Sequence, residues 1–269
     1  MLAALIIVFR EAVEAGLIVG IVLAATRGLP HRGRWVAGGV AGGLAGAALV
    51  AAFASQIADA LLGAGQEILN AAVLLVAVTM LAWHNAWMAA HGRDLARRMT
   101  YLGGEVAAGR RPLTALAVVV GAAVLREGAE VVLFLTGVAA AGSPAPAMAL
   151  GGLLGVVAAA LLSAGLYLGL VAIPAHLLFG ATTGFITLLA AGLAAQAVTF
   201  LEQAGIITES GAPLWDSSWL LADGSLGGRL LHTLIGYTAA PTGLQLAAYL
   251  ATITAILGLM RLARRPQEA

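Results

Sequence analysis

Apolar residues run through this chain in long stretches, broken by short polar connections that carry most of the charge. A helix needs about 20 apolar residues to cross the hydrocarbon core of a bilayer. Stretches of that length fall near 2–25, 36–62, 67–90, 113–139, 146–173, 178–204 and 243–262. They predict an all-α, polytopic membrane protein with seven transmembrane helices. The first stretch resembles a signal peptide only in position. It has no basic segment before it and holds three charges at its centre, so it predicts a retained helix.

Those three charges break the pattern. In "VFREAVEAGLIVGIVLA", Val8 to Ala24, Arg10, Glu11 and Glu14 lie mid-span. A second segment, "VLREGAEVVLFLTGVAA" from Val124, repeats them as Arg126, Glu127 and Glu130. At about 100° per residue, Arg10, Glu14 and Glu11 project at about 0°, 40° and 100°, on one narrow face. Arg10 and Glu14, four apart, can pair; Glu11 and Glu14, three apart, can share a ligand. Six charges at mid-membrane cost about 15–20 kcal/mol on the insertion scale if unpaired. A doubled arrangement of that cost points to function. The competing reading is a pair of salt bridges clamping the first and fourth helices.

Composition and charge sharpen this picture. Hydrophobic residues make up 61% of the chain and charged residues 10%, values of a membrane protein rather than a soluble domain. There is no cysteine, which excludes disulfides and thiolate chemistry. No basic run, nucleotide-binding loop or hydrolase motif is present, so neither nucleic-acid binding, ATP hydrolysis nor another enzymatic activity is expected. All 14 basic residues are arginines. Arg27, Arg32 and Arg34, then Arg93, Arg97, Arg98, Arg110 and Arg111, then Arg261, Arg264 and Arg265 flank spans on one side; Arg229 alone lies opposite. The positive-inside rule makes the arginine-rich side cytoplasmic, with the N-terminus outside and the C-terminus inside.

With that topology the first and fourth spans run in opposite directions yet share a motif at an offset of 116 residues. Leu61-Leu62 and Leu177-Leu178 match faintly at the same offset; Gly42-x-x-x-Gly46 matches Gly151-x-x-x-Gly155 at 109. We therefore expect one domain, 1–269, built of inverted three-helix repeats: repeat one about 1–90, repeat two about 113–204. An outer loop, about 205–242, and a seventh helix, about 243–262, complete it. Inverted repeats place a transport site at their interface near the midplane. The glycine pairs read as close helix packing.

If the two charged faces meet, four carboxylates and two guanidiniums surround one point with a formal sum of −2. Oxygen donors without cysteine or histidine suit a hard cation such as ferric iron, manganese, magnesium or calcium, and disfavour a dedicated copper or zinc site. The Glu-x-x-His of a ferritin-type oxidase is absent.

Arg-Glu-x-x-Glu in the first and fourth of seven spans resembles the oxidase-dependent iron permeases, including the bacterial EfeU-type branch. The likeness covers residues 1–262 and extends to "LWDSSWLL", Leu214 to Leu221, and "LLHTLIGYTAAPTGLQL", Leu230 to Leu246. It implies a high-affinity iron permease of the cytoplasmic membrane. Ferric iron would be handed over by an extracytoplasmic oxidase or binding protein. The resemblance assigns the iron path to Glu11, Glu14, Glu127 and Glu130, supported by Arg10 and Arg126. Iron is then substrate, and no permanent cofactor is implied. A permease for another cation such as manganese or lead, or a non-transporting membrane subunit, remain alternatives on the residues alone.

Other polar residues define expected access and exit paths. Asp59, Glu67, Glu202, Glu209, Asp216 and Asp223 fall at outer span ends or in outer loops, where an acidic mouth would concentrate cations; solvated loop charges explain the loop members equally well. His84 and Asn85, near the inner end of the third helix, are either an exit path or a satisfied polar pair. Trp215 and Trp219 read as interfacial anchors and His232 as a loop-packing residue. His91 to Pro112 reads as a cytoplasmic linker with a short surface helix whose arginines favour anionic lipid. The outer segment 205–242 is where a donor protein would dock.

Overall fold

The computed structural model describes residues 1–60, 66–169, 175–208 and 211–263. It is helical throughout, with no strand among the described residues. Eight helices follow in order: α1 Leu2–Ala25, α2 Arg32–Ala60, α3 Gln66–Ala107, α4 Thr114–Ala140, α5 Ala145–Tyr167, α6 Ala175–Gln203, α7 Leu226–Ile235 and α8 Gly243–Ala263. Leu61, Leu62, Glu209 and the side chains of Asp59, Leu177 and Leu178 lie outside the described residues.

Five helices are long and apolar enough to cross a membrane: α2 over Arg32–Ala54, α3 over Gln66–Gly92, α5, α6 over Gly180–Gln203, and α8. Their outward faces carry Leu49 and Phe53 on α2, Leu153 and Leu161 on α5 and Leu250 on α8, all exposed as lipid-facing side chains would be. α1 and α4 match these in length but carry the three charges each. They pack against one another, and the charges turn inward: Arg10, Glu11, Glu14 and Glu127 are all buried.

Two elements differ from the expected layout. α3 does not end near residue 90; it runs 42 residues, about 63 Å at 1.5 Å per residue, well beyond a ~30 Å hydrocarbon core. The expected linker is therefore mostly a helical extension. Its C-terminal end packs Met99, Leu102 and Val106 against Val22, Leu116 and Val120. The helix stops where Gly109 takes φ 71°, a left-handed conformation that favours glycine. The outer segment also holds a helix not expected from hydropathy, α7. Ser225 caps it by accepting from the Gly228 N–H at 2.9 Å, and Gly236 closes it at φ 69°.

Glycines set the closest approaches. On α2, a Cβ at Gly39 would lie 2.6 Å from the Ala117 carbonyl of α4, and one at Gly43 2.7 Å from that of Gly121. On α5, a Cβ at Gly151 would collide with the Met1 carbonyl, and one at Gly155 would lie 2.7 Å from that of Leu5 on α1. The packing pair on α2 is thus Gly39 and Gly43, not Gly42 and Gly46. Gly42 faces open space, and Gly46 meets only the Leu125 side chain. The carbonyls met by the two glycine pairs, Met1 and Ala117, Leu5 and Gly121, are separated by 116 residues, as Arg10 is from Arg126. Gly43→Val and Gly155→Val should reduce the monodisperse fraction severalfold on size-exclusion chromatography, because neither backbone can withdraw without parting two helices. Gly42→Ala should elute as wild type. Equal behaviour of all three would discount the glycine contacts.

Candidate metal site

The site is built where α1, α3 and α4 meet. On α1 the spacing of Arg10, Glu11 and Glu14 puts all three on the inward face. Arg10 is only 2% exposed and spreads its fork over both acids: Nη1 donates to Glu11 Oε1 at 2.9 Å, and Nη2 lies 3.2 Å from Glu14 Oε1. On α4 the same spacing gives a looser pair. Arg126 Nε donates to Glu130 Oε1 at 3.0 Å and lies 4.0 Å from Glu127. The Arg126 side chain is 37% exposed, and its guanidinium sits 4.0 Å over the Trp87 ring of α3, a cation–π contact.

α3 supplies a residue between the two motifs. His84, 3% exposed, contacts Glu130 through Nδ1 and turns Nε2 toward Glu11 Oε2 at 3.8 Å and Glu14 Oε1 at 3.7 Å. Its ring is held edge-on by Phe134, with centroids 6.1 Å apart. One donor atom from each of Glu11, His84, Glu127 and Glu130 lies within 4.8 Å of the others. The expected meeting of the two motifs is therefore seen, but the donor set is not oxygen alone: it includes an imidazole nitrogen. His84 sits in the cluster, not at an inner exit. Asn85 beside it is buried, and neither of its amide atoms has a hydrogen-bond partner among the described residues.

Several buried atoms in the cluster lack a hydrogen-bond partner: Glu11 Oε2, Glu14 Oε2, Glu127 Oε2 and His84 Nε2. Unpartnered polar atoms in a low-dielectric interior are costly, and a cation would satisfy them together. The formal charge of the four carboxylates and two guanidiniums is −2, which suits a cation and opposes an anion.

Apolar layers close the cluster above and below. Toward the α7 end of the bundle lie Ile7, Phe134, Leu74, Leu81 and Leu193; toward the opposite end, Val22, Val120 and Val124. Beyond the first of these layers is a cavity of about 30 Å³, where Ala3 and Val138 meet Gln196, His232 and Gly236. About two turns of α1 and of α4, carrying Ile7 and Phe134, separate this cavity from the charges.

The remaining expected path residues are not drawn into the cluster. Glu67 stands exposed in the first turn of α3, and Glu202 is half-buried in the last turn of α6. The outer-loop acids are tied to the loop itself. Asp223 accepts from the Ala239 N–H at 2.9 Å, and Asp216 from the Ser218 N–H at 2.8 Å. Hydrogen bonding by Ser218 holds the Asp216 carboxyl below its ordinary range. His232 bonds the Tyr237 carbonyl at 2.8 Å, the loop-packing role expected of it. Trp215 and Trp219 are exposed. The residue that sequence reasoning missed outright is Trp87, the platform under Arg126. His84 carried a signal, since an ionisable side chain in a span is itself a functional hypothesis.

Comparison with known proteins agrees with the cluster's chemistry. The chain matches the Iron permease FTR1 family over residues 1–263. It is 31% identical over 251 residues to the ferrous iron permease EfeU of Escherichia coli O6:H1, covering 91% of this chain and 89% of that protein. It is 30% identical to the proteins of the same name from Shigella sonnei and Yersinia pestis, covering 91% of this chain and 89% and 87% of theirs. No solved structure matches the chain significantly.

Proposed function

The chain belongs to the Iron permease FTR1 family, a multi-pass membrane transporter of iron and not an enzyme, and we propose that iron crosses through the cluster of Glu11, Glu14, Glu127 and Glu130. The observation that carries this reading is the convergence of both motifs on one buried, net-negative point with unpartnered oxygens. Arg10 and Arg126 limit the repulsion among the acids and hold them in place. The apolar layers on either side fit an occluded state, from which the ion would be released by opening one layer at a time.

We read the chain as seven spans, α1 to α6 and α8, with α1–α3 and α4–α6 as inverted repeats. What supports the repeat is the pairing of α2 on α4 and α5 on α1 through glycines that meet carbonyls 116 residues apart. On this reading the protein sits in the cytoplasmic membrane with its N-terminus outside, and 205–242 forms the outer surface on which a donor protein docks. A tag inserted at Ala212 should be accessible from outside and a C-terminal reporter should lie inside. Both ends on one side would overturn the seven-span topology.

On valence, the family resemblance favours ferric iron received from an oxidase or binding protein. The His84 nitrogen, and the name ferrous iron permease borne by the relatives, favour the ferrous ion. Proteoliposomes offered ferric, ferrous and manganous ions separately decide it. Uptake of one iron form at a rate well above manganese is the expected result. Manganese taken up faster than either would make this a permease for another cation.

A further inference from the structure

We propose that His84 is a direct ligand of the transported ion and the residue that makes the site prefer transition-metal ions to calcium and magnesium. The proposal rests on the reading of the glutamate cluster as the ion's path, and deepens it.

Three buried atoms face one another: His84 Nε2 and Glu11 Oε2, neither with a hydrogen-bond partner, and Glu14 Oε1, whose other neighbour is Arg10 Nη2 at 3.2 Å; the nitrogen lies 3.8 and 3.7 Å from the two oxygens. Those separations are too long for hydrogen bonds. They fall between the roughly 3.0 and 4.2 Å that separate cis and trans ligands of an octahedral ion bound at about 2.1 Å. A single ion between them would give the first two a partner and draw on the charge of the third. The other ring nitrogen, Nδ1, rests on the Glu130 carboxylate, the arrangement by which a carboxylate orients a ligating imidazole. Burial and the edge contact with Phe134 fix the ring plane, so the nitrogen is presented rather than free to swing away.

Nothing else among the described residues offers the cluster nitrogen: the two arginines are cations, and Asn85 brings only a neutral amide. Four carboxylates alone would bind any hard cation, and calcium and magnesium are the abundant ones. Calcium wants six to eight oxygens, and magnesium an octahedron of them. One imidazole in the set lowers affinity for both while serving iron and the other divalent transition ions. His84 therefore separates the transported metal from its commonest competitors without any change in charge.

The test uses purified full-length protein in nanodiscs loaded with Mn²⁺ and examined by pulsed paramagnetic resonance. The wild type should show coupling of the bound Mn²⁺ to an imidazole ¹⁴N. That coupling should persist when the other four histidines, His31, His91, His176 and His232, are changed to glutamine, which leaves His84 untouched. It should vanish in His84→Gln, which supplies an amide oxygen instead. The preference for Mn²⁺ over Ca²⁺ in competition should fall there by about tenfold or more. Mn²⁺ whose binding depends on Glu11 and Glu127 but shows no ¹⁴N coupling in the wild type would overturn the role of His84 and leave the glutamate path standing. Coupling lost in the four-histidine variant, or an unchanged Mn²⁺ to Ca²⁺ ratio in His84→Gln, would overturn it equally. Mn²⁺ binding indifferent to both Glu11→Gln and Glu127→Gln would defeat the glutamate reading itself, and the ligand role with it.

Discussion

Glu11→Gln should lower iron uptake per folded molecule by tenfold or more while the protein still inserts and elutes as a single species. Glu11 is fully buried, with one oxygen on Arg10 and the other turned to His84. The amide keeps its volume and much of its hydrogen bonding but removes a charge, taking the formal sum from −2 to −1. Losing one charged ligand should cost more than the ~1.4 kcal/mol that a factor of ten represents. Insertion should survive, because an amide is cheaper to bury than a carboxylate. Glu14→Gln, Glu127→Gln and Glu130→Gln should behave alike. The clamp reading expects the reverse. Each change would then leave an arginine short of a partner, and breaking a buried pair costs about 3–5 kcal/mol, so folded protein would be lost while survivors worked normally. Near-normal specific uptake in all four variants would sink the permeation reading.

The parts legible in the sequence are those governed by local rules. The expected spans 2–25 and 113–139 agree closely with α1 and α4, because apolar length and short connections fix both ends. The in-register spacing of the motif residues likewise put them on one inward face. What was missed depends on partners distant in sequence. Hydropathy falls after His91, yet Leu95, Ala96, Arg97, Arg98 and Met99 are strong helix formers, and the helix continues because its far end has α1 and α4 to pack on. A ten-residue amphipathic helix such as α7 falls below any membrane-span threshold, though Ser225 and Gly236 are visible caps. The glycine register on α2 could not be read from Gly42 and Gly46 alone, because Gly38, Gly39, Gly42, Gly43 and Gly46 offer several faces and only the docked α4 selects one. Neither the depth of His84 in the bundle nor its azimuth could be read from α3 alone. Which face of α3 meets the motifs is a property of three helices together.

The same dependence on neighbours makes the two arginines unequal although their motifs are identical, and Arg10 should prove far the more important to folding. Arg10 has no solvent and two carboxylates, one on each fork nitrogen. Arg10→Met keeps much of the side-chain bulk but leaves Glu11 and Glu14 without their counterion, at about 3–5 kcal/mol for a broken buried pair. Arg126 is less buried and rests on Trp87, and in Arg126→Met Glu130 keeps its contact with His84, so the loss is smaller. Thermal midpoints by loss of the monodisperse peak should therefore fall much further for Arg10→Met. Arg10→Lys should fall between, since one ammonium cannot hold two carboxylates in the geometry of the planar fork. Adding Glu14→Gln to Arg10→Met should restore part of the loss by removing one of the two stranded charges. Equal midpoints for Arg10→Met and Arg126→Met, or no recovery in the double variant, would mean that the motifs are held by packing of α1 and α4 and not by their charges.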